Sequence, residues 1–233
     1  MEKMEQSMNF NTLTKEIERI KSGIDGLDNF MEGGFPKSSN IVLSGLPGTG
    51  KTLFGMAFIA EGCRNNEKCL YITVEQSPDA IIKQANQFNW NFSQWQEQGN
   101  LEIVHFDFLK PISKKMLENI LQNVENDCYT RVVIDSISAI AHAPIPISYL
   151  EFLELFDKTT KNGITTVCIA QKNENEPTNK MLEYIGDGLL SFNRKILGET
   201  SNRTIEIEKL RWTRINDVPH KFEFTENGIV VKN

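Results

Sequence analysis

Ile41-Val42-Leu43-Ser44-Gly45-Leu46-Pro47-Gly48-Thr49-Gly50-Lys51-Thr52-Leu53-Phe54 is the stretch that decides how the chain folds. Residues 45–52 within it match the pattern G-x-x-x-x-G-K-[ST]. An apolar run precedes the match. Leu53, Phe54, Met56, Ala57 and Ile59 follow it at helical spacing, so the match falls on a strand-to-helix turn. Such a loop brings backbone N–H groups close to phosphate oxygens. Side chains would block that approach, hence glycine at Gly45, Gly48 and Gly50. The helix beginning near Lys51 adds the positive end of its dipole. Leu46, Pro47 and Thr49 complete the cradle. Lys51 would neutralise β/γ-phosphate charge, and Thr52 would present its hydroxyl to Mg²⁺. The expected ligands are ATP and Mg²⁺. A glycine-rich turn without a ligand is the alternative, and the flanking strand and helix argue against it.

Outward from this loop the pattern repeats. Glu16 to Ile20 alternates like a short strand, and Ile24 to Met31 carries apolar residues at helical spacing, stopped by Gly33-Gly34-Phe35-Pro36. Downstream, strands are expected over 69–74, 101–106, 132–134 and 165–170. Helices are expected over 51–62, from the Ser77 cap with Pro78 in its first turn to about Phe88, over 113–125, and over 148–161. Residues 172–180 are polar with one proline and read as a loop. Further strands are expected over 189–193, 204–209, 222–224 and 229–231. Alternating β and α followed by mostly β predicts an α/β fold. Its central sheet would be mainly parallel, flanked by helices, with an antiparallel β extension at the C-terminal end.

The 233 residues suit one domain, 16–233, behind a polar N-terminal extension, 1–15. A net charge of −6 argues against coating duplex DNA by bulk charge, although a local basic groove stays open. Cys63, Cys69, Cys128 and Cys168 form no CxxC pair and the three histidines lack ligand spacing, so a metal cluster or disulfide framework is not expected. The polar start and the lack of a membrane-length apolar run point to a cytoplasmic protein with no membrane partner.

Other residues gain meaning from the loop. Asp135 ends an apolar strand, where a carboxylate at the C-terminal edge of a sheet can hold the Mg²⁺ water shell. Glu75 ends another such strand and could deprotonate an attacking water, or be a solvated surface glutamate. Gln171 could sense a γ-phosphate, or be a polar loop residue. Lys209 and Arg211 alternate onto one strand face, from which they could reach a neighbouring subunit's phosphates or simply face solvent. Trp95 and Trp212 suit packing or an interface as well as base stacking.

Together these motifs resemble the KaiC-like ATPases of the RecA/RadA superfamily. The likeness covers roughly residues 16–231. It is carried by Ser22-Gly23-Ile24-Asp25-Gly26-Leu27-Asp28, Gly33-Gly34-Phe35-Pro36, the phosphate loop, Thr73-Val74-Glu75-Gln76-Ser77-Pro78, Val133-Ile134-Asp135-Ser136 and Lys209-Leu210-Arg211. Gln84-Ala85-Asn86-Gln87-Phe88-Asn89-Trp90 is also similar to single-domain archaeal RadA paralogues. The resemblance implies a RecA-like core and ATP bound between subunits of a homo-oligomer, a hexameric ring or a filament. It makes Glu75 the general base and Lys209 and Arg211 cations acting on the neighbour's ATP. It makes Gln171 a link between γ-phosphate and the following loop, which in recombinases contacts single-stranded DNA. Gln76 stands where the family often has a second glutamate, which implies slow turnover. Glu183-Tyr184 occupies the place of the clock proteins' phosphorylated Ser-Thr pair, so autophosphorylation is not expected. Two other readings remain: an ATP-regulated single-stranded DNA-binding accessory of recombination or repair, and a signalling module whose affinity for a protein partner follows its nucleotide state.

Overall fold

The apolar runs become strands that are buried on both faces. The computed structural model describes residues 16–106, 128–138, 149–172, 182–197, 200–216 and 218–232, together with Gln122 and Val124. Its elements run β1 (Arg19–Ile20), β2 (Phe35–Pro36), β3 (Asn40–Gly45), α1 (Lys51–Arg64), β4 (Cys69–Thr73), α2 (Pro78–Asn86), α3 (Phe92–Glu97), β5 (Leu101–His105), β6 (Arg131–Asp135), α4 (Tyr149–Lys161), β7 (Thr165–Gln171), β8 (Gly188–Leu197), β9 (Thr200–Leu210), β10 (His220–Thr225) and β11 (Gly228–Val231). Among the described residues, nine strands form one sheet in the order β11-β10-β9-β8-β3-β7-β6-β4-β5. Strands β8, β3, β7, β6, β4 and β5 are mutually parallel. The hairpins β8-β9-β10-β11 add the antiparallel edge that the C-terminal sequence predicted.

Alternation divides the core into two layers. Ile41, Leu43, Tyr71, Val133, Val167 and Ile169 face the layer that holds α1. Val42, Leu70, Ile72, Val132, Ile134 and Cys168 face the layer that holds Leu155 and Phe156 of α4. A sheet covered on both sides needs apolar residues at successive positions, which is why these strands read as continuous runs.

Three local expectations change. The first strand shortens to Arg19–Ile20 and pairs with Phe35–Pro36, which therefore extends the chain as well as ending the preceding turn. The helix expected over 24–31 is a 3₁₀ helix, Leu27–Met31, because Gly26 precedes it in a left-handed conformation (φ 80°). α3 was not anticipated; Phe92 and Trp95 pack into the layer that holds α1, their rings 5.8 Å apart and tilted by 48°. α2 begins as expected, with Ser77 Oγ accepting from Ala80 N at 3.3 Å. The expected helix over 113–125 and the loop 172–180 lie outside the described residues, apart from Gln122, Val124 and Lys172.

Arg131, 1% exposed, ties the sheet to its surroundings at the entry of β6. Its guanidinium donates to Glu67 at 2.7 and 3.1 Å, to the Lys21 carbonyl at 2.7 Å and to the Phe58 carbonyl at 3.0 Å. Arg131→Ala strands Glu67 and two carbonyls, and is expected to cost about 3–5 kcal/mol. The paired change Arg131→Met with Glu67→Met should recover the part of that loss that comes from the unpaired Glu67 carboxylate. Urea unfolding of the two variants measures both.

Candidate functional site

β3, β4, β6 and β7 all end at one edge of the sheet, and their exits build a cleft of about 450 Å³. The loop 45–52 leaves β3 there and turns into α1, whose first residue is Lys51. Gly50 precedes the helix at φ 112°, a conformation L side chains rarely adopt. Lys51 is 7% exposed, and its Nζ donates to the carbonyls of Gly45 at 2.6 Å and Leu46 at 3.0 Å. Burial pushes its pKa down, against the pull of Asp135 and Glu75. Among the described residues its acceptors are these carbonyls, and a desolvated ammonium so placed suits an anion.

Asp135 sits two strands along, at the end of β6 and 4% exposed. Burial raises its pKa; hydrogen bonds from Tyr71 and Thr52 and the charge of Lys51 act in the opposite direction. The Tyr71 hydroxyl, inside the sheet, donates to Asp135 Oδ2 at 2.8 Å. Glu75 follows β4 and lies exposed at the cleft, with its Oε1 accepting from Ser136 Oγ at 2.6 Å. Gln76 and Gln171 also line the cleft, and the Gln171 N–H donates to Ser138 Oγ at 2.9 Å. One buried carboxylate beside the Thr52 hydroxyl is an all-oxygen donor set that suits Mg²⁺ held mainly by phosphate oxygens and water.

Lys209 and Arg211 lie elsewhere. β9 runs antiparallel to β8, and Leu210 pairs with Gly188, which itself pairs with Ile41 near the start of β3. The length of β3, about 13 Å at the usual rise, separates them from their own phosphate loop. β9 stops at Leu210, so Arg211 already lies in the turn beyond. Lys209 Nζ donates to the carbonyls of Gly186 at 2.6 Å and Tyr184 at 2.9 Å, and Arg211 pairs with Asp187 at 2.8 Å. Both cations therefore have acceptors within their own chain. Trp212 is 60% exposed beside them, whereas Trp95 packs against the core.

Several lining residues were missed in the sequence. Tyr71 carried a faint signal, as the one hydroxyl-bearing ring within an apolar strand. Ser136 directly follows Asp135. Gln84, Phe88 and Phe224 also line the cleft, and no spacing rule links positions so far apart in the chain.

Tyr71→Phe leaves a buried carboxylate oxygen without its donor, and should lower apo stability by about 1–3 kcal/mol in urea unfolding. The Asp135 shift also fixes a pH dependence. Its native pKa exceeds its unfolded one, so between the two values the native state binds more protons. Apo stability contributed by this group therefore falls as pH rises through that window. Asp135→Asn should flatten that decline, read as urea midpoints from about pH 4 to 7.

The comparisons with known proteins agree with this architecture. The family model "ATPase: KaiC" matches residues 20–233. The circadian clock oscillator protein KaiC of Thermostichus vulcanus is 31% identical over 92% of this chain, which spans 44% of that relative's length. A UPF0273 protein of Methanopyrus kandleri is 27% identical, with 92% of each chain covered. The crystal structure of a KaiC-like protein from Pyrococcus horikoshii superposes with a TM-score of 0.84 at 30% identity, covering 93% of this chain and all of that one. Among the described residues no helix is long and apolar enough to cross a membrane. The chain belongs to the KaiC ATPase family and has its RecA-like fold.

Proposed function

We propose that residues 16–233 act as one domain that binds ATP with Mg²⁺ and slowly hydrolyses it, in a homo-oligomer whose sites lie between subunits. The observation carrying this reading is the gathering of Lys51, Thr52, Asp135 and Glu75 in one cleft, with Lys209 and Arg211 at the opposite edge of the sheet. Backbone N–H groups of residues 45–52 would hold the phosphates. Lys51 would leave its loop carbonyls for phosphate oxygens, exchanging neutral acceptors for charged ones. Thr52 and Asp135 would hold Mg²⁺, which when bound offsets the charge of the β- and γ-phosphates.

Glu75 then takes a proton from water as the water oxygen attacks the γ-phosphorus. The bond from that phosphorus to the β–γ bridging oxygen breaks, giving ADP and inorganic phosphate. The hydrogen bond from Ser136 aims the Glu75 carboxylate. Gln171, at the end of β7, would sense the γ-phosphate. The slow rate rests on Gln76, an amide at the position next to the base. Lys209 and Arg211 lie too far from their own loop to help there, which supports action on the next subunit's phosphates. Their acceptors at 184–187 would hold them ready at the surface. A DNA-binding reading would rest on residues 171–187, of which 173–181 lie outside the described residues, and on Lys209, Arg211 and Arg214; Lys209 and Arg211 have acceptors within their own chain, so no specific observation favours it.

Phosphate release should fall about 100-fold or more in Glu75→Gln, and collapse in Lys51→Ala. Unchanged turnover in both variants would sink the assignment. Mixing Glu75→Gln with Arg211→Ala subunits should restore part of the activity, because some interfaces then combine an intact Glu75 with an intact Arg211. Absence of rescue in verified mixed oligomers, or a strict monomer by mass with and without ATP, would remove the trans role.

A further inference from the structure

We propose that Trp212 anchors one copy of this chain on the next, its ring packing on Leu46 and Pro47 at the rim of the neighbour's phosphate loop. The inference rests on the interface reading above, and deepens it from two cations to the apolar contact that seats them.

Trp212 is 60% exposed, and its backbone is left-handed, with φ 56°. Bulky L residues rarely adopt that conformation, so the lone chain holds an exposed ring on a strained backbone. Neighbouring groups impose the turn. Arg19, its side chain 13% exposed, donates from Nη2 to the Trp212 carbonyl at 3.1 Å and from Nη1 to Thr213 Oγ1 at 2.9 Å. Glu32 at 2.6 Å and the Gly34 carbonyl at 3.1 Å fix that guanidinium in turn. From the other side, the Arg211 N–H donates to the Asp187 carbonyl at 2.9 Å. The same edge carries Tyr184, 79% exposed, whose carbonyl accepts from Lys209. Exposed Trp and Tyr beside Arg have the composition of an interface hot spot.

Two observations make the partner a second copy. Trp212 directly follows Arg211, so a copy that brings Arg211 to a neighbour's phosphates brings Trp212 to the same loop, one Cα step of about 3.8 Å away. That loop offers a matching apolar group. Thr49 Oγ1 at 2.8 Å and Lys51 Nζ at 3.0 Å both donate to the Leu46 carbonyl. They turn the Leu46 backbone into the loop and leave its side chain outside, 60% exposed, with Pro47 exposed next to it. Within one copy Leu46 and Trp212 lie at opposite edges of the sheet, so they can meet only head to tail. Charge agrees, with Arg211 and Arg214 exposed at one edge and Glu75 and Asp79 at the other.

The test is sedimentation velocity of the full chain with Mg²⁺ and adenylyl imidodiphosphate over a range of protein concentration. Trp212→Ala should raise the subunit dissociation constant about tenfold or more. Trp212→Gly should weaken assembly as much, yet keep or raise the urea midpoint of the dilute, nucleotide-free chain, because glycine accepts the left-handed turn. If Trp212→Ala fails to fold, Trp212→Gly carries the comparison. Leu46→Ala should also weaken assembly, but by less than about twofold once Trp212→Ala is present, since both remove one shared contact. Trp90 and Trp95 pack in the core. The emission that Trp212→Gly removes should therefore be quenched by acrylamide in the dilute chain and shielded in the assembly. Unchanged assembly in both Trp212 variants, or a Trp212 still fully quenched in verified oligomers, would overturn the proposal. Additive losses with Leu46→Ala would put the ring on another surface and overturn it too. A wild-type chain that stays monomeric with and without nucleotide would remove the interface reading itself, and this contact with it. If the Arg211→Ala mixing experiment shows rescue while the Trp212 variants assemble as wild type, the cations act across an interface that lacks this anchor.

Discussion

The close seating of α1 on the sheet is the contact on which the rest depends. At Gly55 a methyl group would come within 3.0 Å of Val133 and 3.2 Å of Ile169. The helix is therefore sunk against β6 and β7, and Leu53, Phe54, Met56, Ala57, Phe58, Ile59 and Ala60 are buried on several of its sides. Burial all round leaves its N-terminus little freedom of position. The loop 45–52 is thereby held where strands β4, β6 and β7 finish, and Glu75, Asp135 and Gln171 arrive at the cleft from those three strands.

Such seating has electrostatic consequences. Lys51 and Asp135 are both buried, and burial opposes the charge on each. Neither is neutralised by a direct ion pair among the described residues; the lysine turns to its own loop carbonyls and the aspartate to the Tyr71 and Thr52 hydroxyls. Two separated, desolvated charges of opposite sign suit a ligand that brings both anionic oxygens and a cation. A direct ion pair would be the more stable arrangement for an empty fold, and it would close the site.

Sheet topology also separates functions that are close in motif space. The parallel strands send Glu75 and Asp135 to one edge, and the antiparallel return of β9 sends Lys209 and Arg211 to the other. A single copy cannot bring the two groups together, because strand length alone exceeds the reach of either side chain. The C-terminal hairpin does the reverse. It is remote in sequence from the phosphate loop, yet it lays Phe224 directly on Gly50.

The order of strands and helices was legible because burial on both faces demands continuous apolar runs, and those runs stand out between polar turns. That the loop 45–52, Asp135 and Glu75 meet in one cleft was legible because each sits at the end of a strand, which is a local property of the chain. The 3₁₀ turn at Leu27–Met31 was misread as a regular helix, since periodicity does not register the left-handed Gly26 before it. Tyr71, Ser136, Phe88 and Phe224 could not be tied to the site from spacing, for their partners lie on other strands. By itself, then, the sequence determined the α/β alternation and the phosphate-loop motif, both encoded in short windows. Only the tertiary structure decided which edge of the sheet each charge occupies and which rings wall the cleft, because strand order and direction arise from long-range pairing.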